Sequence, residues 1–341
     1  MKKRFWIGGL LVLFSIVASA EQVPVYDEST QTLMLPVVDT VEQRGKYQDA
    51  VLQHLEDNRW RIVSGREGVL IRQAYQPRGQ VHSIDGAAYV EFSGYFGSGC
   101  EALGLIRQHR YQHRIELVAY YEDAPWMHEA VSCTTALVPF NKELQLDLTG
   151  LAAGVYEVTV NGFSLGSFTL DAEHACSTSC NWVPLHEPFL ASSGQLNVPV
   201  VNTQGQVGAY HSLVFLPTQE SGILQLLRAD IGVQMQVLKA EVALSQSFPV
   251  QAKLTVSGQF SCYPPGLIEV RRQANVFELA VLRSVLPDTV EPNEVDCAQS
   301  LESFERTVAL DIHDLDAGEY TIRVNGMDYG SFQLAQDNRL P

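Results

Sequence analysis

Hydrophobic residues alternate with polar ones along much of the chain. Between Lys142 and Leu148, the residues Leu144, Leu146 and Leu148 fall on one face of an extended segment. Val155 to Val160 alternates in the same way and runs into Asn161-Gly162. Asn-Gly after such a run supplies the two positive-φ positions of a type I′ hairpin, so a returning strand is predicted through Gly166-Ser167-Phe168-Thr169-Leu170. The same hairpin recurs around Asn325-Gly326. Arg114–Tyr121 and Val276–Leu282 are rich in β-branched and aromatic residues and read as further strands. Ahead of them, Thr32–Val38, Arg59–Ser64 and Gly68–Tyr75 predict a small meander in the first half. Gln195–Val201, Tyr210–Leu216 and Gly222–Arg228 predict another in the second. Tyr47–Glu56 is compatible with a helix, although its counterpart in the second half looks like a strand.

This recurrence is a duplication. Residues 146–170 and 310–334 are identical at 13 of 25 positions, among them Ala153-Gly154, Tyr156, Val160-Asn161-Gly162 and Gly166-Ser167-Phe168. Upstream, Ser93-Gly94 aligns with Ser257-Gly258, Cys100 with Cys262 and Cys133 with Cys297. Further upstream, residues 33–40 match 196–203. A repeat of about 163 residues means tandem domains rather than a solenoid of short units. The expected organisation is a first module over 21–173 and a second over 191–338, joined by a Cys-containing linker at 174–190. Within the modules, meanders are expected at about 25–80 and 191–245, and sandwiches at about 85–173 and 248–338.

The run from Ser93-Gly94 through Cys100 and Cys133 to Leu151, Ala153-Gly154, Tyr156 and Val160-Asn161-Gly162 resembles immunoglobulin-like modules of exported bacterial proteins. It covers about 80 residues of each copy. The resemblance implies a fold class, an all-β tandem duplication in which a small meander precedes a disulfide-bonded β-sandwich. It implies no chemistry.

The start of the chain changes the picture of where it acts. Lys2, Lys3 and Arg4 precede an apolar run from Phe5 to Val17, and Ala18-Ser19-Ala20 has the form of a signal-peptide cleavage site. Residues 1–20 therefore read as an export signal, and a periplasmic or secreted protein beginning at Glu21 is expected, with no membrane insertion after cleavage. Loss of three cations takes the formal charge from −16 to −19, which disfavours nucleic acid and anionic membranes as partners. Six cysteines in an oxidising compartment read as disulfides. The duplication pairs Cys100 with Cys133 and Cys262 with Cys297, leaving Cys176 and Cys180 as a third pair in the linker.

No nucleophile elbow, phosphate-binding loop or zincin spacing occurs, so no catalytic residue is assigned and the chain reads as no enzyme. No cofactor and no metal is expected. His174, Cys176, Cys180 and His186 carry metal-ligand chemistry, but a disulfide stiffening the linker is the preferred reading. Asp311, Asp314, Asp316 and Glu319 surround a turn; their spacing is not that of a calcium loop, and a polar turn is preferred. His109 and His113 are expected on a solvated strand face. Trp126, Met127 and His128 sit in a loop before Cys133 and are residue types that anchor interfaces or stack on sugars; packing of Trp126 over the sandwich edge is the more ordinary reading. The function these features suggest is a non-catalytic binding or structural protein of the bacterial cell envelope, contacting an unknown protein or glycan of that envelope through sandwich loops. The alternatives are an inhibitor of a secreted hydrolase and an envelope hydrolase with an unrecognised site.

Overall fold

The computed structural model describes residues 23–70, 78–84, 86–123, 133–148, 151–172, 187–261, 263–284 and 301–339. Trp126, Met127, His128, Cys176, Cys180, Cys262 and Cys297 lie outside them. The described residues form strands and turns, with no helix among them.

The first barrel-forming strands are β1 (Val25–Asp27), β2 (Thr32–Thr40), β3 (Tyr47–His54) and β4 (Arg59–Glu67). The first sandwich follows: β5 (Val69–Leu70), β6 (Arg78–Ile84), β7 (Ala87–Phe96), β8 (Glu101–Tyr111), β9 (Arg114–Asp123), β10 (Val138–Gln145), β11 (Gly154–Val160) and β12 (Phe163–Leu170). The second copy begins with β13 (Phe189–Leu190), β14 (Leu196–Thr203), β15 (Tyr210–Pro217) and β16 (Ile223–Ile231). Its sandwich holds β17 (Val237–Leu244), β18 (Ala252–Phe260), β19 (Pro265–Gln273), β20 (Val276–Arg283), β21 (Glu302–Leu310), β22 (Gly318–Val324) and β23 (Met327–Leu334).

The sequence predicts two separate meanders, and here the structure differs. A three-stranded meander has two open edges and one apolar face, neither of which it satisfies alone. The two meanders satisfy each other by closing one sheet, in the order β1-β14-β13-β2-β3-β4-β16-β15, with β14 also pairing β15 and β1 also pairing β2. One seam joins β4 to β16 antiparallel, with Trp60 opposite Leu224. The other is bridged by two short strands that cross between copies. β1 runs antiparallel to β2 of its own copy and parallel to β14 of the other. β13 runs antiparallel to β14 and parallel to β2. The barrel therefore has an approximate two-fold axis that passes between Trp60 and Leu224. Its interior holds Leu33, Leu35, Val38, Leu52 and Trp60 from the first copy and Leu196, Val198, Val201, Leu213, Phe215 and Leu224 from the second.

Each sandwich packs a three-stranded sheet against a larger one. In the first, β10-β7-β6 covers the sheet of β12, β11, β9, β8 and β5. In the second, β17-β18-β21 covers β19-β20-β22-β23. The repeated motif residues explain the match between copies. Asn161 (φ 44°) and Gly162 (φ 84°), like Asn325 (φ 49°) and Gly326 (φ 78°), form the predicted positive-φ turns. Asn161 also bonds both the amide and the carbonyl of Ala119, at 2.9 Å each, which pins the hairpin to β9. Tyr156 donates to the Ala152 carbonyl (2.8 Å) and Tyr320 to the Asp316 carbonyl (2.9 Å), tethering the turn ahead of each hairpin. Cys100 and Cys133 are disulfide-bonded.

Four boundary and element expectations are corrected. Tyr47–Glu56 is not a helix: β3 fills it, because its apolar residues enter the barrel wall. Gly68–Tyr75 does not continue the meander; Val69 and Leu70 pair β9 of the first sandwich, and residues 71–75 lie outside the described residues. β17, expected in the second meander, pairs β18 and belongs to the second sandwich. Residues 189–190, expected in the linker, form the barrel strand β13.

Candidate functional site

The most perturbed ionisable groups lie where each sandwich meets the barrel. In the first copy Asp39, at the end of β2, is fully buried. Its Oδ1 accepts the Gly45 amide (2.5 Å) and its Oδ2 the Arg44 guanidinium (3.1 Å). Gly45 has φ 62° and lies so close to Tyr120 of β9 that a Cβ there would come within 2.9 Å of the phenol oxygen. Arg107 on β8 is paired with Glu187, just ahead of β13, so the second copy contributes to the first junction. Burial lowers the Arg107 pKa, with Asp39 acting in the opposite sense. Burial pushes the Tyr120 phenol up to about 12. His109, expected on a solvated face, is buried instead: the β8 face that carries it packs on the barrel. Burial and then the Arg44 cation hold its imidazole down at about 4. His113 is not on that strand at all; it stands in the β8–β9 turn against Tyr156, ring centroids 5.5 Å apart.

The second copy keeps this backbone arrangement and changes its charges. The Asn202 side chain accepts the Gly208 amide (2.7 Å), replacing Asp39 and Gly45. Arg271 takes the place of His109, bonding Glu278 (2.5 Å) and the Thr203 carbonyl (2.8 Å). Glu269 takes the place of Arg107, and burial raises its pKa to about 7 from 4.5. Val207, Ala280 and Leu282 complete this junction with an apolar cluster.

The two junctions therefore respond to pH in opposite directions. His109 has a folded pKa below its unfolded value of 6.5, so its contribution is complete above pH 6.5 and is lost as pH falls through about 4. Glu269 has a folded pKa above its unfolded value of 4.5, so its contribution is complete below pH 4.5 and is lost as pH rises through about 7. Glu269→Gln is expected to leave stability unchanged at pH 4 and to raise it at pH 8 by up to about 3 kcal/mol, at roughly 1.4 kcal/mol per pKa unit. Denaturant unfolding of the full chain at both pH values measures this. An equal effect at the two pH values would contradict it.

A third junction joins the sandwiches. The His313 ring packs tilted against Tyr89 (centroids 5.2 Å apart) with its Nε2 2.9 Å from a Glu143 oxygen. Burial lowers the His313 pKa. The neighbouring acids form a turn held by a cation of the chain itself: Arg339 lies 2.7 Å from Asp316 and 3.7 Å from Asp314 and from Asp337. Desolvation raises the Asp311 pKa, and its contact with His313 acts in the opposite sense. No group of three or more metal-ligating side chains occurs among the described residues.

An accessible groove of about 390 Å³ lies on the outer face of the first sandwich's smaller sheet, lined by Glu91, Ser93, Gly94, Tyr95, Pro139, Phe140 and Asn141. β7 places it by alternation: Phe92 and Phe96 point into the core, so Glu91, Ser93 and Tyr95 point out. On β10, Pro139 lies opposite Tyr95 and Asn141 opposite Ser93. The Asn141 amide donates to one Glu91 oxygen (3.0 Å) and Gln80 of β6 donates to the other (3.5 Å). The groove is thus a row of fixed polar groups beside a tyrosine ring that is 56% exposed.

With this geometry in place, the likeness to known proteins can be located. Two segments of the chain, residues 90–170 and 254–334, match the ORF11 beta-sandwich domain. The chain carries two β-sandwich copies. Each ORF11 match starts within the central strand of the smaller sheet, β7 or β18, and ends with the last strand of its sandwich. The shared barrel lies outside both ORF11 segments, whereas Tyr95, Asn141, Arg107, His109, Glu269 and Arg271 lie inside them. Comparison with curated proteins and with solved structures returns no match.

Of the groove residues, sequence marks only Ser93 and Gly94, and those as repeated fold positions rather than as a site. The signal that could have found the others was a difference between copies on a strand face already marked as repeated: Tyr95 is replaced by Gln259 and Asn141 by Glu305. The loop candidates Trp126, Met127 and His128 lie outside the described residues.

Proposed function

We propose that the chain is an exported, non-catalytic binding or structural protein of the bacterial cell envelope, with two sandwiches fixed on one barrel and contacting a protein or glycan. One observation carries this reading. The ionisable groups driven furthest from their ordinary ranges, His109, Tyr120 and Glu269, are packed into the junctions with the barrel. The accessible groove instead offers an aromatic ring and fixed hydrogen-bonding groups. An active site commonly shows the reverse, with perturbed groups facing a cleft. The disulfide suits an oxidising compartment, and the basic, apolar and small-residue start of the chain suits export to one. Kinship with immunoglobulin-like modules of exported proteins belongs to the same reading.

Oxidised protein recovered from cells expressing the full sequence is expected to have the mass of a chain starting at Glu21. Immobilised, it is expected to retain a defined component of envelope extract or culture medium. Turnover in a broad hydrolase screen, abolished by one carboxylate or histidine substitution, would overturn the non-catalytic reading. Recovery of only uncleaved chain from the cytoplasm would overturn export.

A further inference from the structure

We propose that the groove on the outer face of β6, β7 and β10 binds a pyranose ring of a glycan that carries no acidic groups, with Tyr95 as stacking platform and Glu91 and Asn141 as hydroxyl partners. This deepens the binding reading above and rests on it. The face of a tyrosine ring is electron-rich and attracts the polarised C–H edge of a sugar ring. Tyr95 presents that face on a stiff strand rather than on a loop, and its hydroxyl makes no hydrogen bond among the described residues. Glu91 has two carboxylate oxygens with about four acceptor positions, and the amides of Asn141 and Gln80 occupy one on each oxygen. The remaining positions are those that two neighbouring hydroxyls of a sugar would fill. Both amide partners are neutral, so they aim the carboxylate without neutralising it. Among the described residues lining the groove the one charged group is the Glu91 carboxylate, with Arg78 opposite Ser93 on β6 beside it, and the chain carries a formal charge of −16; an acidic glycan or a nucleic acid is disfavoured there. The volume, about 390 Å³, is at the small end of the roughly 300–1,000 Å³ range of ligand sites and suits one ring rather than a long segment.

The second copy is an internal control. Thr255 stands in place of Glu91, Gln259 in place of Tyr95 and Glu305 in place of Asn141. There the hydroxyls of Thr255 and Thr307 bond each other at 2.9 Å. The second sandwich has glutamine in place of the ring, and its carboxylate, Glu305, stands at the Asn141 position rather than at that of Glu91, so the site belongs to the first copy alone.

Titration calorimetry on the oxidised full chain tests this with cellohexaose, maltohexaose, N-acetylchitohexaose and hexagalacturonic acid as probes. At least one neutral hexamer is expected to bind with one site per chain, and the acidic hexamer at least tenfold more weakly. Tyr95→Ala is expected to weaken binding at least tenfold and Glu91→Gln several-fold, while Gln259→Ala leaves it unchanged. Both groove positions are solvent-facing, so thermal unfolding of the variants should match the parent, separating a lost site from a lost fold. Absence of binding by all neutral probes, affinity retained in Tyr95→Ala, or preference for the acidic hexamer would overturn the proposal. A protein captured from the envelope equally by parent and Tyr95→Ala, with no neutral glycan bound, would overturn the glycan site while leaving the binding reading intact. A protein whose capture requires Tyr95 would overturn it in favour of a protein-docking surface.

Discussion

Replacing Trp60 with alanine is expected to destabilise the chain by about 3–5 kcal/mol and to loosen the barrel strands of both copies together. Trp60 belongs to the first copy but packs on both. Its ring lies 5.8 Å from Tyr26, 4.9 Å from His54 and 5.7 Å from Phe215 of the second copy, and its backbone partner across the seam is Leu224. It is 6% exposed, so truncation leaves a cavity at the approximate two-fold axis that neither copy can fill alone. Hydrogen exchange should then show faster opening in β2–β4 and in β14–β16, not in the first set only. Leu224→Ala, on the other side of the same contact, should act in the same direction with a smaller loss, because it removes less buried surface.

Removing the Cys100–Cys133 disulfide is expected to cost about 4 kcal/mol, with the loss confined to the first sandwich. The bond closes a separation of 33 residues, and a cross-link of that span restricts the unfolded chain by about that amount in the chain-entropy model. It joins the entry to β8, in the larger sheet, to the segment leading into β10, in the smaller one. The backbone beside it is tied too, Gly99 donating to the Thr134 carbonyl at 3.1 Å. Denaturant unfolding of the double variant Cys100→Ala/Cys133→Ala, followed by hydrogen exchange strand by strand, should show reduced protection in β6–β12 and parental protection in β17–β23. A loss spread equally over both sandwiches would contradict independent sandwich cores.

What the sequence disclosed and what it hid divides along one physical line. Features set by neighbouring residues were legible. Asn161-Gly162 and Asn325-Gly326 fix a turn through their own backbone preferences, and the alternation around them fixes which face is apolar. The repeat made the Cys100–Cys133 pair readable because the same spacing occurs twice. Features set by pairing between distant segments were not legible. Nothing local to Arg59–Ser64 says that its free edge will be taken by residues about 164 positions later, and three short apolar strands read equally well as an independent meander. The two-residue strand β13 is too short to carry a pattern. Tyr47–Glu56 was ambiguous because short apolar runs satisfy helical and extended spacing alike, and only the barrel wall decides. His109 was placed on a solvated face because its burial depends on a barrel the sequence did not reveal. Tyr95 was missed for the opposite reason: an exposed aromatic on a polar strand face carries no periodic signal.

The closed barrel shared by both copies is the centre of this account, and a cross-strand disulfide tests it most directly. Arg59 and Gln225 are partners across the β4–β16 seam. The neighbouring bond from the Leu226 amide to the Asn58 carbonyl makes them a pair without mutual hydrogen bonds. Such pairs bring Cα atoms to about 4.5 Å, within the range a disulfide spans. In the variant Arg59→Cys/Gln225→Cys, oxidation followed by proteolysis and mass spectrometry is predicted to give one linked peptide containing both positions, from monomeric chain. Two free thiols at these positions, or a link formed only between different chains, would contradict a barrel closed within one molecule.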